Sequence, residues 1–200
     1  MTIIEIGRAT PQLTFRQRWS HYLALIFAAI GLFIGFNLRE SILFATTQYV
    51  NPQAGITAEY PQNWLLQEGS GEYIFRVSDV IADGFKTRIQ VAVRPVSAET
   101  TTRNIFDSLT LTRAQTLAAY NVVAETPFVL PDGTTTSAMT YSYVAAQTNP
   151  FLQTIPIVVE GIDVLIIERG QAIIVSFLSD ANTFDANFPT LERFLRSIEF

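Results

Sequence analysis

The side chains able to do chemistry are few. The chain has no cysteine, one lysine (Lys86) and one histidine (His21), and His21 lies at the edge of an uncharged apolar run. Thiol nucleophiles, thiolate metal sites and disulfides are therefore excluded. Beyond residue 40 there is no imidazole for a Ser-His-Asp or Cys-His arrangement, an H-E-x-x-H site or a haem. A lone histidine at such an edge reads as an amphipathic anchor, not a ligand. A carboxylate pair, a Ser/Lys site built on Lys86 or an oxygen-ligand metal site remains. Asp79 and Asp83 precede Gly84, and Glu160, Asp163 and Glu168 lie near one another. Paired carboxylates can serve as acid and base or bind Ca²⁺. However, residues 79–84 lack the EF-hand ligand pattern, and charges at loop ends are usually solvated. Lys86 reads the same way, as a solubilising charge. No G-x-G-x-x-G or P-loop occurs. No catalytic residue, cofactor or metal site is assigned, and the chain is expected not to be an enzyme.

The elements that would hold these groups follow from periodicity. After residue 55 apolar residues recur every second position. Ile56, Ala58 and Tyr60 alternate with polar partners, as do Tyr73, Phe75 and Val77, then Ile89, Val91 and Val93 up to Pro95. Residues 104–120 read as a helix capped by Asn104, with Phe106, Leu109, Leu117 and Tyr120 on one face and Arg113 near it. Residues 122–130 and a strand through Met139, Tyr141 and Tyr143 flank a Pro131-Asp132-Gly133 turn, because Gly tolerates positive φ. A polar loop (146–154) leads to the Ile/Val-rich segment 155–168, in which Gly161 marks a bulge or tight bend. Arg169-Gly170-Gln171 reverses the chain into strand 172–178. Residues 184–200 close it with a second helix, Pro189 at its first position and Leu191, Phe194, Leu195 and Ile198 as its stripe. The sum is α+β: a central antiparallel sheet of about six strands flanked by helices. The set Tyr60, Trp64, Tyr73, Phe75, Tyr141 and Tyr143 reads as core; exposed together, they would form a binding patch.

Ahead of this domain lies YLALIFAAIGLFIGFNL, residues 22–38, which carries no charge and has ten Leu, Ile or Phe among its seventeen residues. Counted from Trp19 it reaches about 30 Å as a helix, the thickness of a hydrocarbon core. Its apolar residues favour insertion by about 3 to 6 kcal/mol. The first forty residues carry four Arg against two Glu, while the rest carry nine Lys/Arg against sixteen Asp/Glu. The positive-inside rule then puts the N-terminus in the cytoplasm and the acidic domain outside. The run exceeds a signal-peptide core and no A-x-A site follows, so an uncleaved signal anchor is expected. The expected organisation is a cytoplasmic arm (1–18), a transmembrane helix (19–38), a linker (39–54) in which Ile42, Leu43 and Phe44 can continue the helix until Asn51-Pro52 and then Gly55 end it, and an extracytoplasmic domain (55–200). Gly31 and Gly35 form G-x-x-x-G, and Ala24 and Ala28 repeat the small-residue spacing that lets two helices pack closely. The acidic balance argues against nucleic acid.

Ile56-Thr57-Ala58-Glu59-Tyr60-Pro61 followed by Trp64 resembles the opening of PsbP-like domains. The close, Phe184-Asp185, Phe188-Pro189, Phe194-Leu195 and Ser197-Ile198-Glu199-Phe200, resembles their terminal helix and tail. The resemblance covers about residues 53–200. It implies a sheet flanked by helices in an extracytoplasmic accessory or assembly protein of a membrane complex, such as a photosynthetic one. It carries over no functional residue, and the signal anchor departs from the soluble or lipid-anchored members. Three functions are thus expected to compete: an accessory subunit with membrane-protein partners, a binding module for a small apolar ligand or lipid, and a carboxylate-dependent hydrolase.

Overall fold

The computed structural model describes residues 15–43, 45–69, 71–82, 84–146 and 155–200. Most of the expected arm, Asp83 and nearly all of the 146–154 loop lie outside the described residues. The chain divides into two units, Met1–Ala45 and Thr46–Phe200.

The first unit is helix α1 (Phe15–Leu43). Within it, Trp19–Ser41 is long and apolar enough to cross a membrane, with a mean hydropathy of 1.9. Its apolar side chains are exposed around the whole circumference, Phe27 at 81% and Phe33 at 70%. Asn37 is the run's one strongly polar side chain. It donates through Nδ2 to the Phe33 carbonyl one turn back, so its amide is partly satisfied within the helix.

The second unit is α+β, as expected, with one more strand in the main sheet and an added hairpin. Strands β1 (Thr46–Asn51) and β2 (Ile56–Pro61) pair with each other. Strands β3 (Leu65–Glu68), β4 (Phe75–Ser78), β5 (Arg88–Pro95), β6 (Ala118–Val129), β7 (Thr135–Ala145), β8 (Ile157–Glu168) and β9 (Gln171–Asp180) form one antiparallel sheet in the order β3-β4-β5-β9-β8-β7-β6. Helix α2 (Thr102–Thr116) precedes β6, and α3 (Phe184–Ser197) follows β9.

Several expectations are corrected. Residues 46–51 are strand, not linker. Thr46, Thr47, Tyr49 and Val50 are β-formers, and Tyr49 is buried in the core. Asn51 ends no helix; its Oδ1 accepts from the Gln53 and Ala54 amides and turns the β1–β2 hairpin. Helix α2 starts earlier and stops sooner than the spacing predicts. Thr101, not Asn104, is the cap, its hydroxyl accepting from the Asn104 amide. Leu117 is already extended, and the chain beyond it enters β6. Pro189 sits inside α3, not at its first position, because Phe184 is buried and draws the helix start forward. Gly161 is no bulge: it pairs in register with Tyr141 and Leu178.

The sheet buries both faces, so β9 reads as a continuous apolar run. One face carries Val77, Ile89, Val91, Val175 and Phe177 under the β1–β2 hairpin and α3. The other carries Met139, Tyr141, Leu165 and Ile174 under Ile105, Phe106 and Leu109 of α2. The chain's end returns to β2, where Thr57 and Glu199 exchange both backbone hydrogen bonds, at 2.9 and 2.8 Å.

Candidate binding surfaces on the helix and the sheet

Ala24, Ala28, Gly31 and Gly35 follow a 4-3-4 spacing and so share one face of α1. A Cβ built on Gly31 or Gly35 meets nothing within 4 Å. His21 and Tyr22 are exposed on the same helix.

Among the described residues, the carboxylates that the sequence grouped do not share a site. Asp163 is fully buried on the α2 face, paired bidentately with Arg113 of α2; one of the two contacts, Nη2 to Oδ1, is 3.0 Å. Glu160, three residues earlier on the same strand, faces the α3 side. Burial, and then Asp185, push the Glu160 carboxyl above its ordinary range. Glu168 pairs with Arg169 at the surface. The Asp79 carboxylate accepts from the Ile81 and Ala82 amides, turning its own loop. Lys86 is half-buried and donates to the Ala82 carbonyl, so it is more than a surface charge.

Asp163 is thus the exception to the solvated reading. Its partner's guanidinium lies 4.3 Å from the centre of the Tyr141 ring. Burial alone would lower the Arg113 pKa, but the Asp163 carboxylate and Tyr141 outweigh it and raise it. Tyr141 is fully buried, and burial, reinforced by Asp163, pushes its hydroxyl well above the ordinary range. The hydroxyl end of the ring lies against Gly161, where a Cβ would fall 2.5 Å from Cζ. The signal for this cluster was legible: an Asp inside an Ile/Val strand, and an Arg beside the apolar stripe of α2.

On the α3 side, a hydroxyl–amide network links the sheet to the helix. Ser179 and Thr87 are buried 3.0 Å apart, and the Asn187 amide of α3 donates to both, at 3.0 and 3.2 Å. Farther along that side a surface hollow of about 190 Å³ is lined by Leu130, Ile166, Leu195, Ile198 and Phe200, with Asp132 and Arg196 at its border. This is below the roughly 300–1,000 Å³ usual for small-molecule pockets.

The aromatic set divides between the faces. Tyr60 and Phe75 are core on the α3 side, and Tyr141 and Tyr143 on the α2 side. Tyr73 is half-buried, with the Arg76 guanidinium 4.2 Å from its ring centre. Arg88 on β5 lies 5.1 Å from the Phe85 ring centre and donates to the Tyr143 hydroxyl at 3.1 Å. Sequence reading passed over both arginines, because in an alternating strand they occupy ordinary polar positions.

No family model matches the chain, and no curated protein matches it in sequence. Solved structures do. The solution structure of cyanobacterial PsbP (CyanoP) from Synechocystis sp. PCC 6803 aligns at a TM-score of 0.57 and 11% identity, covering 78% of this chain and 92% of that one. A mutant of the protein Mog1 aligns at 0.50 and 14% identity, covering 78% and 96%. The Saccharomyces cerevisiae Ran-binding protein Mog1p aligns at 0.48 and 11%, covering 78% and 95%. At these identities the likeness is one of fold: the domain has the fold of a PsbP-like protein.

Proposed function

We propose that this protein is a non-enzymatic, single-pass membrane protein, with α1 as an uncleaved anchor and the N-terminus in the cytoplasm. Its PsbP-like domain lies on the extracytoplasmic side as an accessory, assembly or stabilising subunit of a membrane complex. The observation that carries this reading is α1 itself. A helix of this length that presents Leu, Ile and Phe around its whole circumference finds a favourable solvent in lipid. The fold supports the accessory role by likeness to PsbP. The small-residue face of Ala24, Ala28, Gly31 and Gly35 is where a partner's helix would approach.

The test is purification of the tagged full chain from its native membrane in mild detergent. A stoichiometric membrane-protein partner is expected, and Gly31→Ile with Gly35→Ile is expected to release it while the anchor stays in the membrane. Recovery of a lone monomer under every mild detergent would overturn the reading.

A further inference from the structure

Helix α2 covers only part of its face of the sheet. No residue of β3 or β4 belongs to the core beneath it, and β5 contributes only the half-buried Ala92. Residues sharing that face follow from the register. Arg76 on β4 pairs with Gln90 on β5, and the same row continues through Ser176 and Asp163 to Met139. The adjacent row runs from Ser78 through Arg88, Leu178 and Gly161 to Tyr141. At the covered end, Asp163 is neutralised by Arg113. At the open end, Arg76 and Arg88 stand as diagonal neighbours on paired strands, about 7–8 Å apart at the backbone.

These two arginines lack what Arg113 has. Among the described residues, no carboxylate lies within ion-pair distance of either. Arg76 donates to Gln90 Oε1 at 3.2 Å and Arg88 to the Tyr143 hydroxyl, both neutral acceptors. The Nε–H of each is buried without an acceptor. A guanidinium offers five donors, so most of those present here have no described partner. Each guanidinium instead lies over an aromatic ring, Tyr73 or Phe85, a contact that favours the cation without neutralising it. Burial lowers the Arg76 pKa, and Arg88 lowers it further, against weaker help from Tyr73 and the exposed Glu72. In a chain of net charge −5, two adjacent cations without an ion-pair partner among the described residues, on a half-sheet that α2 does not cover, are a charge arrangement with a missing member. Leu65, 50% exposed on the same face, adds apolar surface beside them.

We infer that the open β3–β4–β5 half of the α2 face binds an oxyanion, the carboxylate or phosphate group of a free small molecule, between Arg76 and Arg88. Paired guanidiniums match the planar, divided charge of such groups. Tyr73, Phe85 and Leu65 would flank the body of a ligand carrying one. This binding does not depend on the assembly role.

The test uses the full chain in lipid nanodiscs, with arginine ¹⁵N-labelled and the Nε–H resonances assigned through single Arg→Lys variants. Inorganic phosphate and benzoate are titrated separately at constant ionic strength set by chloride. The Arg76 and Arg88 resonances are expected to shift saturably with at least one probe. Tighter binding of benzoate would identify a carboxylate on an apolar body, and tighter binding of phosphate would identify a phosphate group. Arg76→Gln and Arg88→Gln are each expected to weaken binding about tenfold, and the pair of substitutions to abolish it. Arg88→Lys keeps the charge but loses the fork, and is expected to fall between. Melting without anion supplies a readout that separates binding from scaffolding: Arg76→Gln is expected to leave the melting temperature unchanged or higher, because it relieves repulsion from Arg88. No saturable shift with either probe, or unchanged affinity in the double variant, would overturn the inference.

Discussion

Asp163 has no exposed surface, and among the described residues the donor to its carboxylate is Arg113, which holds both oxygens. Removing one member of such a pair leaves the other buried and uncompensated. Asp163→Asn is expected to destabilise the domain by about 3–5 kcal/mol in urea unfolding. Replacing both residues by Leu and Met is expected to recover most of that loss. Gly161 tests packing at the same place. Gly161→Ala drives a methyl into the Tyr141 ring and is expected to cost about 1–3 kcal/mol. Combined with Tyr141→Leu, the two losses should add to less than their sum, since the smaller side chain vacates the clash. Glu160 supplies a pH signature. Its folded pKa is raised, chiefly by burial, so the native state holds this proton longer than the unfolded chain does. The stabilising contribution is complete below the unfolded carboxylate pKa and is lost as pH rises through the folded value. Glu160→Gln is therefore expected to raise the melting temperature at pH 7 and to leave it nearly unchanged near pH 4.

At the scale of elements, local signals and tertiary context divide the outcome. Thr101 closes α2 from its N-terminal side, and Thr101→Ala is expected to cost about 1 kcal/mol, read by chemical denaturation. Strands β2, β5 and β7 were legible because apolar alternation and turn residues agreed, and β9 because an Ile/Val-rich apolar run follows a turn. Arg169 and Gly170 both take positive φ, 49° and 74°, and close the β8–β9 hairpin where the sequence placed a reversal. The C-terminal end of α2 was not legible: Leu117 and Tyr120 continue a helical stripe on paper, yet pairing with β7 claims residues 118–129 as strand. Pro189 misled for a related reason. Local chemistry favours it at a helix start, but burial of Phe184 fixes that start upstream. Strand β1 was hidden because its partner β2 supplies the pairing that a six-residue polar segment cannot announce alone. The candidate sites divide the same way. Glycine and alanine spacing in α1 is local and readable. The Arg113–Asp163 pair exists only because α2 packs across β8, and the Arg76/Arg88 pair because the β4–β5 register makes the two residues diagonal neighbours.

The whole molecule joins an apolar helix to an acidic domain whose sequence holds no histidine and no cysteine. The proposed direction rests on the distribution of charge: Arg8, Arg16 and Arg18 ahead of the apolar run 22–38, and a carboxylate excess after residue 40. The absence of cysteine makes that direction directly measurable. A single cysteine introduced by Gln62→Cys, in the exposed turn after β2, is treated with a membrane-impermeant maleimide in intact cells and again after permeabilisation. Thr10→Cys on the other side of the helix is the paired probe. The account predicts full labelling at position 62 in intact cells, labelling at position 10 only after permeabilisation, and both signals in the membrane fraction. Labelling of position 62 only after permeabilisation, or its recovery in the soluble fraction, would contradict a tethered extracytoplasmic domain.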